Sequence, residues 1–355
     1  MWCPAYSLTI EREVDPRPYV RVRDADLVWF GRNVEASQCA AGATRALACD
    51  DPVMGTPPLL TAADVDAYRS SLSNWGRWGD DERGCANHLR PEHTAAAAAL
   101  VRRGRSVSCA RTLATEPAID NQRPVEHHMT GTVTEGYGAD WFGIAPHGYA
   151  TSHLDALCHI FWDGQLYGGR PADVVTAHGA TKLGVHTLRD GIVARGVLLD
   201  IPAALGVDAL EPGTAITVED LEVAEARADV RVGTGDVLLV RTGRWRWREQ
   251  HGPWDPREQL AGLHASCLPW LHEREIALLG SDGVSDVHPS HVVDVRLPIH
   301  TVGIVAMGLH LLDNLDLDAL SDACREEERA AFLLTVAPLI LRGGTASPVN
   351  PIATL

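Results

Sequence analysis

The sequence His147-Gly-Tyr-Ala-Thr-Ser-His153-Leu-Asp155-Ala-Leu-Cys-His159 concentrates three imidazoles and a carboxylate within thirteen residues. In an extended strand alternate side chains share a face, so His153 and Asp155 can point toward one cation. If a helix begins near Asp155, His159 lies one turn further along the same face. The spacing therefore indicates a divalent metal site, although a polar loop with surface histidines would produce the same pattern.

The residues of this stretch and their spacing resemble a motif of the cyclase-like metal-dependent hydrolases, the family of bacterial kynurenine formamidase and isatin hydrolase. Their signature is H-x-G-T-H-x-D-x-P-x-H, and its last three polar positions are matched by His153, Asp155 and His159. The first histidine of the signature is replaced by Tyr149. His147 lies two residues earlier and would replace the missing ligand if its side chain turned inward, and both alternatives stay open at this stage.

A second pair of motifs resembles the second metal site of the two-metal formamidases, where a histidine after Leu-Pro and a glutamate before Asn-Leu bind an ion. Here Leu297-Pro-Ile-His300 supplies the histidine, and Asp313 stands in the place of the glutamate. Aspartate is shorter by one carbon–carbon bond, about 1.5 Å, so the number of bound ions stays open. The resemblance implies the metal ligands His153, Asp155, His300 and Asp313, and His147 is the predicted replacement for the missing first ligand.

The resemblance to longer members of this family runs in order from about residue 74 to residue 355. It implies an α/β fold of the swivelling β/β/α type around a mixed, barrel-like sheet, assembled as a homodimer or homotetramer. Apolar strand-like runs bounded by turn residues, such as residues 196–202 and 235–243, agree with that fold class. We predict a catalytic domain over residues 71–355 and an N-terminal extension over residues 1–70 that serves as an arm or interface.

Composition and charge exclude several classes of partner. The 355 residues are 45% apolar, which is enough for a sizeable core, and their formal charge is −16. This charge argues against nucleic acid or an anionic membrane surface as partner. The sequence has no run of 18 apolar residues and no secretory signal pattern, and its eight cysteines are scattered without a Cys-x-x-Cys motif. We therefore expect a soluble cytoplasmic protein with reduced thiols that acts on a small molecule.

The predicted ligands also indicate the chemistry. Imidazole and carboxylate groups without thiolates suit Zn²⁺ or Mn²⁺, and such an ion lowers the pKa of bound water from 15.7 to about 7. The reactions of the family imply that metal-bound hydroxide attacks a small cyclic amide, lactone or aryl formamide. In this interpretation His159 transfers the proton as the general base. The residues expected to line the substrate pocket are Tyr149, Phe161 and Trp162.

Two other functions remain open from the sequence. A cyclase or dehydratase would use the same ion as a Lewis acid without net hydrolysis, and the tyrosine at position 149 makes this reading credible. The other is a binding protein that kept the fold and lost the site. Tightly bound metal would separate this last function from both enzymatic ones.

Four further sets of residues carry weaker signals. His127 and His128 are adjacent on a predicted strand, which favours a structural role or one supporting the ligands. The basic and aromatic residues 244–249 predict a solvated or oligomer-facing helix, and His310 has no counterpart in the resemblance. A polar loop after an apolar strand holds three residues to which we assign no role: Asp282, Asp286 and His288.

Overall fold

The computed structural model describes residues 54–355, so most of the predicted extension over residues 1–70 lies outside the described residues. The described end of the extension contains a helix, α1 (Ala62–Ser71), that begins with a capping box between Thr61 and Asp64. This helix buries Val65 in the hydrophobic core. The domain boundary near residue 70 stays a prediction.

Helices and strands alternate along the rest of the chain. The other helices are α2 (Pro91–Ala98), α3 (Ile201–Leu205), α4 (Val218–Arg227), α5 (Arg244–His251), α6 (Leu268–Glu273), α7 (Pro298–His300), which continues as a π-helix over Thr301–Met307, and α8 (Asp318–Glu326). Short 3₁₀ turns cover Gly84–His88, Tyr167–Gly169, Ala172–Val174, Val185–Leu188 and Ala265–Cys267. The strands are β1 (Ser106–Ser108), β2 (Glu126–Gly131), β3 (Ala139–Gly143), β4 (His153–Asp155), β5 (Gln165–Leu166), β6 (Arg170–Pro171), β7 (Val175–Thr176), β8 (Gly179–Ala180), β9 (Ile192–Asp200), β10 (Ala215–Ile216), β11 (Val237–Arg241), β12 (Gly262–Leu263), β13 (Leu278–Ser281), β14 (His310–Asp313), β15 (Ala331–Val336), β16 (Ala346–Pro348) and β17 (Ile352–Thr354).

Nine of these strands form one mixed sheet that curls into a half-barrel, in the order β1-β17-β15-β9-β11-β13-β14-β4-β16. Its four central strands, β9, β11, β13 and β14, are parallel, and antiparallel strands flank them on both sides. Parallel strands are covered on both faces, which explains the continuous apolar run of β11. The predicted α/β fold with a mixed, barrel-like sheet is confirmed.

The short strand β4 places the central sequence motif inside this sheet. It pairs with β14 on one side, where His153 lies opposite Asp313, and with β16 on the other. Because side chains alternate along a strand, His153 and Asp155 share one face of the sheet, while Leu154 points to the other. Cross-strand neighbours also share a face, so Asp313 joins them.

The core of the described region is a single large cluster of buried aliphatic side chains on and around the nine-stranded sheet. The five cysteines within residues 54–355 are free and buried. Over the same residues, no helix has both the length and the apolar character needed to cross a bilayer.

Candidate metal centre

Four imidazoles lie within 4.0 Å of the carboxylate of Asp155, which is completely buried, and three of them come from the central stretch. His147 Nδ1 lies 3.1 Å and His153 Nε2 lies 3.4 Å from Asp155 Oδ1, and His159 Nε2 lies 4.0 Å from Oδ2. Ligand atoms of His147, Asp155 and His159 lie within 4.8 Å of one another. We call these three residues the outer group, because the two histidines are only half-buried.

No helix begins at Asp155, in contrast to one of the alternatives considered for the sequence. The chain makes a tight turn there instead, in which His159 N donates a hydrogen bond to Ala156 O at 3.0 Å. This turn brings the His159 ring onto the ring of His147, with 3.8 Å between their centroids. The turn thus achieves the proximity that was expected from a helix.

A second set of donors lies on the other side of the same carboxylate. Ligand atoms of His153, Asp155 and Asp313 lie within 4.8 Å of one another. His300 Nε2 adds a fourth donor, 3.3 Å from Asp313 Oδ2 and 3.6 Å from Asp155 Oδ2. We call these four residues the inner group. The structure therefore brings all five predicted ligands together, and Asp155 belongs to both groups.

Hydrogen bonds behind the inner group fix the orientation of its two imidazoles. His300 Nδ1 donates to Asp286 Oδ2 at 2.7 Å, and Asp286 Oδ1 accepts from Ile299 N at 2.7 Å. His153 Nδ1 donates to the carbonyl oxygen of Thr151 at 2.8 Å. Because these acceptors require the proton on Nδ1, each ring presents the lone pair of Nε2 to the inner group. Asp286, to which the sequence assigned no role, is thus the residue that orients His300.

The two groups differ in their electrostatics. Burial opposes a charged His153, but the carboxylates of Asp155 and Asp313 outweigh it and raise the pKa of His153 to about 9. Burial likewise opposes a charged His300, but the carboxylates of Asp155, Asp286 and Asp313 outweigh it and raise the pKa of His300 well above its usual range. Burial and the neighbouring imidazoles instead lower the pKa of His159 to about 4. Burial favours protonated Asp155, yet His159 and His153 hold the pKa of Asp155 well below its usual range.

The polar atoms at the centre of this site fit a divalent cation. Both carboxylate oxygens of Asp155 and Nδ1 of His147 are buried without a hydrogen-bond partner within residues 54–355. Leaving a buried polar group unpaired costs about 1–3 kcal/mol, and more for a charged one. A cation bound by the inner or the outer group would satisfy these atoms. Imidazole nitrogens and carboxylate oxygens without thiolates are a donor set that suits Zn²⁺ or Mn²⁺.

The structure distinguishes the two residues that compete for the first ligand position of the signature. His147 turns into the outer group, and its Nε2 lies 2.9 Å from Thr345 Oγ1. Tyr149 points elsewhere, with its ring centroid 6.0 Å from that of His288. His147 is therefore the residue that stands among the other predicted ligands.

Arg244 fixes the loop that carries these two residues, and its role was missed in the sequence. Residues 244–249 were expected to form a solvated or oligomer-facing helix, but Arg244 and Trp245 are each only 3% exposed. Arg244 Nη2 donates to the carbonyl oxygen of Tyr149 at 2.5 Å, and Nη1 donates to Asn314 Oδ1 at 2.7 Å. The expected helix is present, but the start of it is buried rather than solvated, because the acceptors of this guanidinium come from distant parts of the chain.

Asp282 and Asn314 complete the support of the same loop. The Asp282 carboxylate accepts hydrogen bonds from the backbone nitrogens of Thr242 and Gly243 at 2.9 and 2.8 Å, which holds the start of α5. Asn314 Nδ2 donates to the carbonyl oxygen of Gly148 at 2.8 Å. Neither residue is among the predicted ligands, and both act by positioning the segment that contains His147.

The remaining histidines that the sequence singled out lie outside both groups. His310 Nδ1 donates to the backbone carbonyl of Asp155 at 2.9 Å, which supports the shared carboxylate from behind. His288 Nδ1 donates to the carbonyl oxygen of Pro256 at 2.7 Å. His127 and His128 lie on the exposed strand β2, where His127 pairs with Asp140 and His128 stacks on Trp141, so of the two expected roles only the structural one agrees with the structure.

A cavity of about 270 Å³ lies beside the outer group, with His147 and Tyr149 in its wall. Neither of the other two predicted pocket residues lines it. Trp162 lies beneath the guanidinium of Arg69, 5.0 Å from the ring centroid, and Phe161 is 48% exposed. A larger cavity of about 500 Å³ between α4 and α8 is lined by none of the predicted ligands.

Comparisons with known proteins agree with this architecture. A family model described as "Putative cyclase" matches residues 80–286. A crystal structure of a protein described as a novel cyclase is 30% identical, with a TM-score of 0.73, and the match covers 81% of this chain and 99% of that one. No curated protein sequence matches the chain.

Two isatin hydrolases share the fold at lower sequence identity. One, solved with the product analogue thioisatinate, is 18% identical with a TM-score of 0.52. The other, isatin hydrolase A from Ralstonia solanacearum, is 22% identical with a TM-score of 0.50. Each match covers 73% of this chain and 94% of the other.

Proposed function

The chain belongs to the cyclase family, and from that premise we propose that it is a metal-dependent hydrolase of a small cyclic amide, lactone or aryl formamide. One observation carries the proposal. The completely buried carboxylate of Asp155 makes no aligned hydrogen bond to any group in residues 54–355, although imidazole nitrogens lie 3.1 and 3.4 Å away, and it lies between two sets of imidazole and carboxylate ligands. Such an arrangement is stable only when a cation or protons neutralise it.

The inner group would hold one Zn²⁺ or Mn²⁺ ion, and Asp155 and His147 of the outer group would hold a second, which leaves the imidazole of His159 free to transfer protons. When bound, such an ion polarises a carbonyl group and lowers the pKa of water to about 7. Asp286 and Thr151 keep the inner imidazoles in the tautomer that can bind it. Arg244 and Asn314 hold the loop that presents His147.

We assign the proton transfer to His159. Its ring is half-buried beside the cavity-lining residue His147, so it is accessible from the side on which a substrate would enter. In hydrolysis it takes a proton from the attacking water and delivers it to the leaving nitrogen or oxygen, so that one molecule of water is added across the broken bond. A general acid–base group of this kind typically contributes 10²- to 10⁴-fold to the rate.

A second function, a cyclase or dehydratase acting without net hydrolysis, is favoured by Tyr149. Tyr149 lines the same cavity and occupies, in the sequence, the position of a ligand of the family signature. A phenol there can hydrogen-bond a substrate oxygen without binding the ion. Water uptake by the substrate distinguishes the two reactions.

The test uses full-length protein loaded with Zn²⁺ or Mn²⁺ and a panel of three probes, namely isatin, formanilide and an aryl lactone. We expect at least one probe to be opened or cleaved with incorporation of one oxygen atom from ¹⁸O-labelled water. His159→Gln should lower kcat at least about 100-fold while the metal content stays unchanged. His178→Gln, at an exposed histidine outside both ligand groups, is the matched control. Failure to bind either metal would contradict the proposed function.

A further inference from the structure

The cavity of about 270 Å³ beside the outer group has an excess of positive charge in its wall. The whole chain has 47 acidic and 31 basic residues, but this wall contains two arginines, Arg123 and Arg257, and one acidic residue, Asp120. His147 in the same wall connects the cavity to the candidate metal centre. An excess of one sign of charge in a concave site attracts a ligand of the opposite sign.

The carboxylate of Asp120 is compensated from outside the cavity. Only 5% of Asp120 is exposed, and the guanidinium of Arg248 donates hydrogen bonds to both of its oxygens, with Nη2 at 3.0 Å from Oδ1. Arg248 is not part of the cavity wall. Because a bidentate ion pair of this kind engages both oxygens, Asp120 offers little counter-charge to the two arginines of the wall.

Arg123 lies at the end of a loop that is held in place. The backbones of Ala118 and Asn121 exchange two hydrogen bonds of 3.0 Å, and the Asn121 side chain is buried beneath the loop. Arg123 itself is exposed, and in contrast to Arg257 it has no carboxylate partner within residues 54–355. The wall of the cavity therefore presents one guanidinium charge that no acidic side chain of the described region neutralises.

Arg257 keeps hydrogen-bond donors for a ligand. Its Nε and Nη2 donate to the Asp255 carboxylate at 2.9 and 2.5 Å, whereas its Nη1 has only the side-chain amide of Gln122 nearby, at 3.3–3.4 Å. Such a contact is longer than the usual 2.9–3.0 Å, so the N–H groups of Nη1 can bind a better acceptor. The contact with Gln122 also places Arg257 beside the loop of Arg123. The side chain of Arg257 is 44% exposed, which leaves it accessible from the cavity.

We propose, on the basis of the hydrolase function proposed above, that the substrate carries a carboxylate group that binds to Arg257 and Arg123 while its amide, lactone or formamide group lies at the metal centre. The single uncompensated charge of Arg123 matches the one charge of a carboxylate better than the charge of about −1.5 to −2 of a phosphate group. The cavity is slightly smaller than the roughly 300–1,000 Å³ of typical small-molecule sites, which limits the substrate to about one ring system.

The first test measures binding, which does not require turnover. Full-length protein loaded with Zn²⁺ is titrated by calorimetry with meta- and para-acetamidobenzoate and with the neutral carboxamides of the same shape. At least one benzoate should bind more tightly than its carboxamide. Arg257→Gln should weaken binding of that benzoate about 10-fold, and Asp255→Asn should strengthen it, because Arg257 then has no competing carboxylate. Binding of the carboxamides should change less than about twofold in both variants, since neutral ligands do not need the charge.

The controls separate the arginines from the metal ion. Arg123→Gln, which removes an exposed charge, should weaken binding of the benzoate about 2- to 5-fold. Arg102→Gln, at an exposed arginine outside the cavity, should have no effect. A carboxylate that binds the Zn²⁺ ion directly would keep its full advantage over the carboxamide in Arg257→Gln and Arg123→Gln. That result would overturn the proposal.

The second test measures turnover and distinguishes the carboxylate site from the hydrolase function. Formanilide and the formamidobenzoates differ only in the carboxylate, and Arg257→Gln should raise the KM of a formamidobenzoate about 10-fold with kcat within about twofold of the wild type. If formanilide is cleaved but the KM of the formamidobenzoates does not depend on Arg257, the carboxylate site is wrong and the hydrolase function stands. If the acetamidobenzoates bind in a manner that depends on Arg257 but no probe is cleaved, the hydrolase function is wrong and the carboxylate site stands.

Discussion

The two ligand groups around Asp155 are built in different ways. Apart from His300, which ends α7, the inner group lies on the paired strands β4 and β14, and the side chains of His153 and Asp313 are each 2% exposed. The outer group lies on a loop and a turn, where the side chains of His147 and His159 are 30% and 24% exposed. Sheet register fixes the first group, whereas hydrogen bonds to distant side chains fix the second. The comparison implies a rigid inner site and an adaptable outer one.

The largest expected difference between the groups is in metal affinity. His153→Ala should weaken binding at the inner group about 1,000-fold, because the sheet holds the remaining ligands rigidly and water cannot fully replace a buried donor. His147→Ala should weaken binding at the outer group only about 10-fold, since water can reach that position. Chelator competition measures both constants. Equal losses of metal affinity in the two variants would contradict the distinction between a rigid inner group and an adaptable outer group.

A smaller effect is expected behind the inner group. Asp286→Asn removes the negative charge that holds the proton on His300 Nδ1, so we expect a 10- to 100-fold loss of affinity at the inner group. Binding at the outer group should change less than about twofold, since no outer ligand contacts Asp286. Competition titrations with Zn²⁺ resolve the two constants. A larger loss of affinity at the outer group than at the inner group would show that Asp286 does not act through the inner group alone.

This difference also explains how much of the site could be predicted. His153 and Asp155 follow from strand alternation, and their antiparallel pairing with β14 brings Asp313 to the same face. The choice between His147 and Tyr149 could not be made from the sequence, because it depends on Arg244 and its distant acceptors. Local sequence patterns carry no information about such long-range contacts.

The fold, like the site, was predictable where local sequence patterns decide it and was missed where long-range contacts decide it. Apolar runs such as those of β9 and β11 predicted buried strands, and the similarity to a known family supplied their arrangement. The burial of Arg244 and Trp245 was missed, because charged and aromatic residues at this spacing also suit a solvated helix. The exposure of the hairpin of β2 and β3 was missed as well, since alternation predicts a strand but not what covers it.

Arg244 provides a test of how the outer group is held. Arg244→Met leaves the carbonyl oxygen of Tyr149 and Oδ1 of Asn314 without their donor, at a cost of about 1–3 kcal/mol for each. We expect a lower melting temperature and weaker binding at the outer group, with little change at the inner one. Arg246→Met, on the same helix but partly exposed, is the control. Unchanged outer-group affinity would contradict the positioning role of Arg244.

The smallest expected effect is on the pH dependence of stability after removal of metal by a chelator. The raised pKa of His153, about 9, stabilises the fold below pH 6.5, and this contribution is lost as the pH rises to 9. The lowered pKa of His159, about 4, has the opposite effect, so stability falls as the pH drops from 6.5 to 4. Melting temperatures should therefore have a shallower alkaline slope in His153→Gln, and a shallower acidic slope in His159→Gln, than in the wild type. Slopes that are unchanged in these variants would contradict the assignment.

The most direct test of the central claim, that Asp155 is shared by two metal-binding groups, is the metal content of the purified protein. After growth with added zinc and manganese, we predict two ions per wild-type chain, none in Asp155→Asn and one in Asp313→Asn. Circular dichroism checks that each variant is folded. A wild type without metal, or an Asp155→Asn variant that keeps the wild-type content, would contradict the account.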